Sequence, residues 1–290
     1  MLWAVRWVIV VVALVTSCKG RHDAPPAPEP VGLELVSAGV LPRTPLHYTL
    51  AKGTTTTLAF DITSHVAAGE LGDASPPVHV ALDVAVTDVK LDGQMVLVST
   101  VRSLGATGDD PTAVHVNALG SAFAGLAITA TLSPDGTISD VETKSTNGFD
   151  ELAGADKAAL AQVAVAFRQL AMPLPSAPIG IGAIWKTTRQ LPPMPVALTS
   201  TTTVELTGRT GSAITYAITS ELHGDDQTAV EDGTSVAIAH ISGSASGSGT
   251  VDLARFAVDS TQTAGLHMDM TTGSDRTPMT MVQTLRVSSH

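Results

Sequence analysis

Apolar and polar residues alternate along most of this chain. Val78, Val80, Leu82, Val84 and Val86 are separated by His79, Ala81, Asp83 and Ala85. A period of two turns one face of a strand to a core and the other to water. Leu91-Asp92-Gly93 interrupts the run and Met95-Val96-Leu97-Val98 resumes it, which predicts a long hairpin over 78–101. A second hairpin is predicted where Leu126 to Leu132 and Ile138 to Val141 flank Ser133-Pro134-Asp135-Gly136. Proline presets φ at the first turn position, and glycine accepts a positive φ at the end. The abundant threonine suits a pleated, half-wet surface.

One stretch changes period. Between Asp150 and Met172, Leu160, Val163, Phe167 and Leu170 recur at helical spacing in an alanine-rich background. Asp150 or Asp156 is placed to cap the start, and Pro173 and Pro175 to stop the end. The expected fold is therefore mainly β: a curved, half-barrel-like antiparallel sheet packed on one central amphipathic helix, residues 150–172. An offset of 118 lays Gly93 on Gly211, Val86 on Val204, Val96 on Ile214 and Val98 on Tyr216, and an offset of 120 lays Ile138 on Val258. Two duplicated halves, 46–145 and 180–290, are one reading. Chance similarity between hairpins is the other.

The amino end follows a different rule. Arg6 precedes an unbroken apolar run from Trp7 to Val15, and Thr16-Ser17 then leads to Cys18. Nine apolar residues fall well short of the roughly 20 needed to cross a bilayer as a helix. Residues 1–17 read as an export signal. Val15-Thr16-Ser17-Cys18 also resembles the lipobox of bacterial lipoprotein precursors. That resemblance implies cleavage before Cys18, a diacylglyceryl group on its sulfur, and attachment to a lipid bilayer through the acylated Cys18. Cys18 is the one cysteine in 290 residues, so an exported domain here has no internal disulfide. The plain alternative is a free thiol beside an ordinary signal peptide. Pro25, Pro26, Pro28 and Pro30 make residues 18–35 a proline-rich tether, leaving 36–290 as a β-rich domain. Lys19 after the cysteine points, by analogy with lipoprotein sorting, to the outer membrane, facing the periplasm or the cell surface.

Composition narrows the function classes. Removing 17 residues leaves 273, enough for one large β domain or two modest ones, and loss of Arg6 moves the formal charge from −11 to about −12. Lysine and arginine are nowhere clustered, so nucleic-acid binding has no electrostatic basis. Only 3% of residues are aromatic and Trp185 is the one tryptophan beyond the signal, which argues against stacking platforms for sugars or bases.

After the Ser-Pro-Asp-Gly turn and the expected helix comes Pro173-Leu174-Pro175-Ser176-Ala177-Pro178-Ile179-Gly180-Ile181-Gly182-Ala183-Ile184-Trp185. This order resembles exported bacterial lipoproteins of unknown function, in which a proline-flanked apolar stretch runs into Gly-x-x-Trp. The similarity spans roughly Leu46 to Val287. It implies a curved antiparallel sheet around a helix, similar to periplasmic lipoprotein carriers that hold acyl chains. That family usually places an acidic residue after the glycine, where Ala183 stands here. Phe167 and Trp185 are the candidate ligand-lining or core residues.

No nucleophile elbow, zincin helix, P-loop, dinucleotide fingerprint or EF-hand loop is present. His79 and Asp83 share a strand face and read as an outward polar surface. Asp225-Asp226 and Glu231-Asp232 lack the alternating order of a calcium loop. His267-Met268-Asp269-Met270 and Met279-Thr280-Met281 each put two methionines on one strand face. Thioethers suit Cu(I), and Met268, Met270, Met279 and Met281 are the candidate set; filling of irregular core space is the plain alternative. Taken together, no enzyme, cofactor or resident metal is expected. The expected role is a membrane-anchored envelope lipoprotein with a non-catalytic structural or interaction function, its partner an envelope protein. The alternative is a carrier for an acyl chain or hydrophobic peptide in the sheet–helix interior.

Overall fold

The computed structural model describes residues 32–69, 71–144, 167–168, 170–191, 196–231 and 234–290. The chain runs through β1 (Gly32–Ala38), β2 (Thr55–Ala68), β3 (Leu71–Val89) and β4 (Met95–Ala106) to helix α1 (Pro111–Phe123). Strands β5 (Ala127–Leu132), β6 (Ile138–Lys144), β7 (Ala183–Leu191), β8 (Leu198–Thr210) and β9 (Ala213–His223) follow. The order ends with β10 (Gln227–Glu231), β11 (Thr234–Asp252), β12 (Ala257–Thr272) and β13 (Asp275–Ser289). All thirteen belong to one antiparallel sheet ordered β1-β7-β8-β9-β11-β12-β13-β2-β3-β4-β5-β6, with β10 paired to β11 off this path. Strands β1 and β6 end the order without pairing to each other, so the sheet stays open. Among the described residues, no helix is long and apolar enough to cross a membrane.

Both predicted hairpins form. Strands β3 and β4 meet over a turn where the Gly93 N–H donates to Lys90 O (3.0 Å), and β5 and β6 meet where the Gly136 N–H donates to Ser133 O (2.9 Å). The helix expected at 150–172 lies mostly outside the described residues. The described helix is α1, which the apolar periodicity did not mark. Asp110 caps it: one carboxylate oxygen accepts from the Thr112 N–H (2.8 Å) and the Ala113 N–H (3.1 Å), and Pro111 occupies the first turn. It is not central. Helix α1 packs on β3 and β4, burying Val116 and Phe123 against Ile62, Val78, Leu82 and Val101. At Gly120 a Cβ would stand 1.9 Å from the Leu104 carbonyl oxygen, so only glycine lets the helix come this close to β4.

The main core shows how strongly the sheet curves. Val84, Leu97, Ile128 and Leu132 of β3–β5 share one apolar cluster with Trp185, Leu206, Ile214 and Tyr216 of β7–β9. These strands lie at opposite ends of the sheet order, so the sheet must fold both ends around one interior. Leu46, Tyr48 and Leu50, from the segment before β2, fill the space between them. The bend has a sequence basis in β11, where Ser242-Gly243-Ser244-Ala245-Ser246-Gly247 alternates small inner positions with outer hydroxyls. A Cβ on Gly247 would stand 2.5 Å from the Thr261 carbonyl oxygen of β12.

The internal offset of 118 matches only half of each hairpin. Val86 and Val204 are both buried, yet Val96 and Val98 face away from the core while Ile214 and Tyr216 face into it. The loop between β3 and β4 spans five residues and that between β8 and β9 two. A change of odd length in a turn flips every later side chain to the other face.

Candidate functional site

Register across the inner face places Thr187, Thr202, Ser220, Ala245, Ala264, Gln283 and Ser64 in a single row over seven strands. This belt of small and polar side chains separates two apolar clusters. Trp185, Val204 and Ile218 lie on one side, and Ile241, Leu266, Met268 and Met279 on the other. The hydroxyls of Thr202 and Ser220 hydrogen-bond at 2.8 Å, those of Ser200 and Thr202 at 3.4 Å, and Gln283 Nε2 donates to Ser64 Oγ at 3.4 Å. Arg189 sits opposite Ser200, two positions along the same face of β7 from Thr187. Its Nε is buried with no hydrogen-bond partner among the described residues, and burial pushes the guanidinium pKa down. A cation taken out of water without a carboxylate is destabilised, and an anion at that place would relieve it.

The outer face carries different chemistry. Lys186, Thr203, Thr219, Ser246 and Thr263 form a row across β7, β8, β9, β11 and β12, with Thr201, Glu221 and Ser244 in the row beside it. Together they line a shallow groove of about 640 Å³. Hydroxyls at strand spacing can donate and accept along its whole width.

Two polar clusters depend on strand order. His79 Nδ1 lies 2.5 Å from Asp61 Oδ1, across the β2–β3 pair, and its Nε2 lies 3.1 Å from Thr107 Oγ1. Asp83, which shares a strand face with His79, is held instead by Arg102 at 2.8 Å and by the Thr57 hydroxyl at 2.8 Å. Both carboxylates and His79 are about half exposed, consistent with an outward polar face. At the β11 bulge, His240 Nδ1 lies 3.0 Å from Asp269 Oδ2, which also accepts from Arg276. The Arg276 hydrogen bond, with its charge and that of His240, holds the Asp269 carboxyl below the usual carboxylate range despite the opposing effect of burial. The Asp226 carboxylate in the neighbouring loop accepts from the His240 N–H at 3.2 Å.

The residues singled out by sequence divide as follows. Cys18 lies outside the described residues. Phe167 and Trp185 are 2% and 0% exposed in the same cluster, and Trp185 Nε1 donates to the Pro173 carbonyl at 3.0 Å. Ala183, which stands where the resembling family usually places an acidic residue, is fully buried in the same cluster. The four methionines do come together. Met268 faces Met279 directly, Met281 faces Leu266 and Met270 faces Thr277. They pack with Val66, Val236, Ile238 and Ile241, whereas His267 points to the other face and meets Thr280. The described residues hold no group of three His, Cys, Asp or Glu able to hold a metal ion. Arg189 escaped notice although its signal was present: once Trp185 is inward, period two makes Thr187 and Arg189 inward too.

No protein-family model matches the chain, and no curated protein matches it. Among solved structures it is similar to an outer membrane channel from Pseudomonas putida F1. The identity is 10%, over 84% of this chain and 98% of that one, with a TM-score of 0.17. A likeness this slight carries no argument about fold or role.

Proposed function

We propose that this protein is an exported lipoprotein of the bacterial envelope, held to a bilayer through acylated Cys18, whose β-sheet body has a non-catalytic structural or interaction role. The observation that carries the proposal is Val15-Thr16-Ser17-Cys18 closing a short apolar run, with Cys18 the sole cysteine. Two acyl chains suffice for stable attachment, and they consume a thiol that would otherwise stand exposed. The enclosed surroundings of Phe167 and Trp185 support an interaction role over carriage of a long apolar ligand beside them. The hydroxyl-lined outer groove is the surface best equipped for polar contact with an envelope protein. Intact-mass analysis of the protein from its native membrane tests the anchor. A mature chain starting at Cys18 with added acyl mass is expected, and Cys18→Ala should release the body from the membrane fraction. An unacylated chain retaining residues 1–17 would overturn the proposal.

A second reading, as a carrier, has one observation behind it. Arg189 offers a guanidinium on the inner face whose Nε has no partner among the described residues, next to hydroxyls suited to an anionic head group. Mass spectrometry of lipid co-purifying with the mature chain separates the two readings: bound acyl species favour the carrier, and clean protein the interaction role.

A further inference from the structure

At one end of the sheet, two short loops lock together and hold apolar side chains outward. The Val40 N–H donates to Ile181 O (2.9 Å), the Gly180 N–H to Ala38 O (2.9 Å), and Thr44 and Ile179 exchange backbone bonds in both directions (3.0 Å each). Arg43 folds back, giving Nε and Nη2 to the Gly39 carbonyl at 3.0 and 2.7 Å, and Arg209 reaches the Thr44 hydroxyl. On this braced frame Val40 is 64% exposed, Leu41 79% and Ile181 49%. Leu91, at the tip of the β3–β4 turn, stands fully exposed at the same end of the sheet. Scattered apolar residues on a surface need no explanation, but a rigid pair of loops that holds three of them outward is a different matter. Among the described residues neither Arg43 nor Arg209 has a carboxylate partner, in a chain of net charge −11.

We propose that this tip, Val40, Leu41 and Ile181 flanked by Arg43 and Arg209, docks on the anionic lipid surface of the bilayer that holds Cys18. Apolar side chains of such a tip enter the acyl boundary, and the two guanidinium groups meet phosphate-bearing headgroups. The inference rests on the lipid-anchor reading for the identity of that bilayer. Chain length permits it. Gly32 opens β1 at the opposite end, about 23 Å from the tip for a seven-residue strand. The fourteen steps of chain from Cys18 to Gly32 reach roughly 46 Å when extended, so the anchor and the tip can share one membrane plane.

The test uses the full mature chain with Cys18→Ser, which removes the acyl contribution, and sedimentation with vesicles. Phosphatidylcholine mixed with phosphatidylglycerol is compared with phosphatidylcholine alone. Binding to the anionic vesicles is expected, weakening as salt rises. Leu41→Asn/Ile181→Asn should lower the partition constant more than tenfold, and Arg209→Gln about fivefold, at unchanged unfolding midpoints. Absence of binding, equal binding to neutral vesicles, or full binding by the Asn double variant would overturn the inference. The anchor is judged apart, by the acyl mass on native Cys18. Acylated Cys18 with a chain indifferent to vesicles removes the tip alone. Bare Cys18 with vesicle binding removes the anchor and leaves the tip.

Discussion

The inner faces of the two wings of the sheet are built differently among the described residues. In the wing of β2 to β5, a helix fills the concave side: α1 lays Val116 and Phe123 on the strands and touches β4 through Gly120. In the wing of β8 to β12 no described helix contacts the sheet, and β11 instead removes side chains from its inner face, so that its neighbours close over Gly243, Ala245 and Gly247. Among the described residues, one wing packs a helix on its inner face and the other thins the inner side chains of β11. The first solution needs apolar residues on both partners. The second needs only glycine, which leaves the outer positions free to carry hydroxyls.

The comparison breaks most completely at what the wings share. Trp185→Ala or Phe167→Ala empties the cluster that both ends of the sheet enclose and should cost about 3–5 kcal/mol by chemical denaturation. Next come the two devices themselves. Gly120→Ala should destabilise by about 2–3 kcal/mol despite alanine's better helix propensity, because its Cβ meets backbone oxygen rather than a movable side chain. Gly247→Ala meets backbone at 2.5 Å and should cost about 1–3 kcal/mol. If Gly247→Ala is neutral, the bend in the second wing has another origin.

Smaller still is a pH effect at the β11 bulge. Because Arg276 lowers the Asp269 pKa in the folded state, the stability from this pair is present above the ordinary unfolded value near 4 and lost as pH falls through the lowered one. Arg276→Gln should therefore fall furthest below the parent near neutral pH and converge with it in acid, as read from urea midpoints across that range. The smallest effect belongs to the outer face. Thr203→Ala and Thr219→Ala should each move stability by no more than about 0.5 kcal/mol, since both line an open groove.

What the sequence disclosed follows the range of each interaction. Alternation marked β3 to β6 and the methionine strands, because period two is written into adjacent residues. Helical spacing singled out Phe167 and the Gly-x-x-Trp stretch singled out Trp185, each as ligand-lining or core, and both are buried. Helix α1 was hidden by Val114, His115, Val116 and Asn117, which are poor helix formers, although Asp110-Pro111 marked its start. The Asp61–His79 pair and the His240–Asp269–Arg276 cluster could not be read, since each requires knowing which strands are neighbours. Arg189 is intermediate: its face was legible, but the lack of a partner for its Nε among the described residues was not.

Strand β13 is the seam between the wings, with β12 on one side and β2 on the other. Without β13, the β12 and β2 strands would each lose the ladder that joins them through it. In that state each wing presents a bare edge, open to mispairing. One strand therefore decides whether two bare edges become the middle of a sheet.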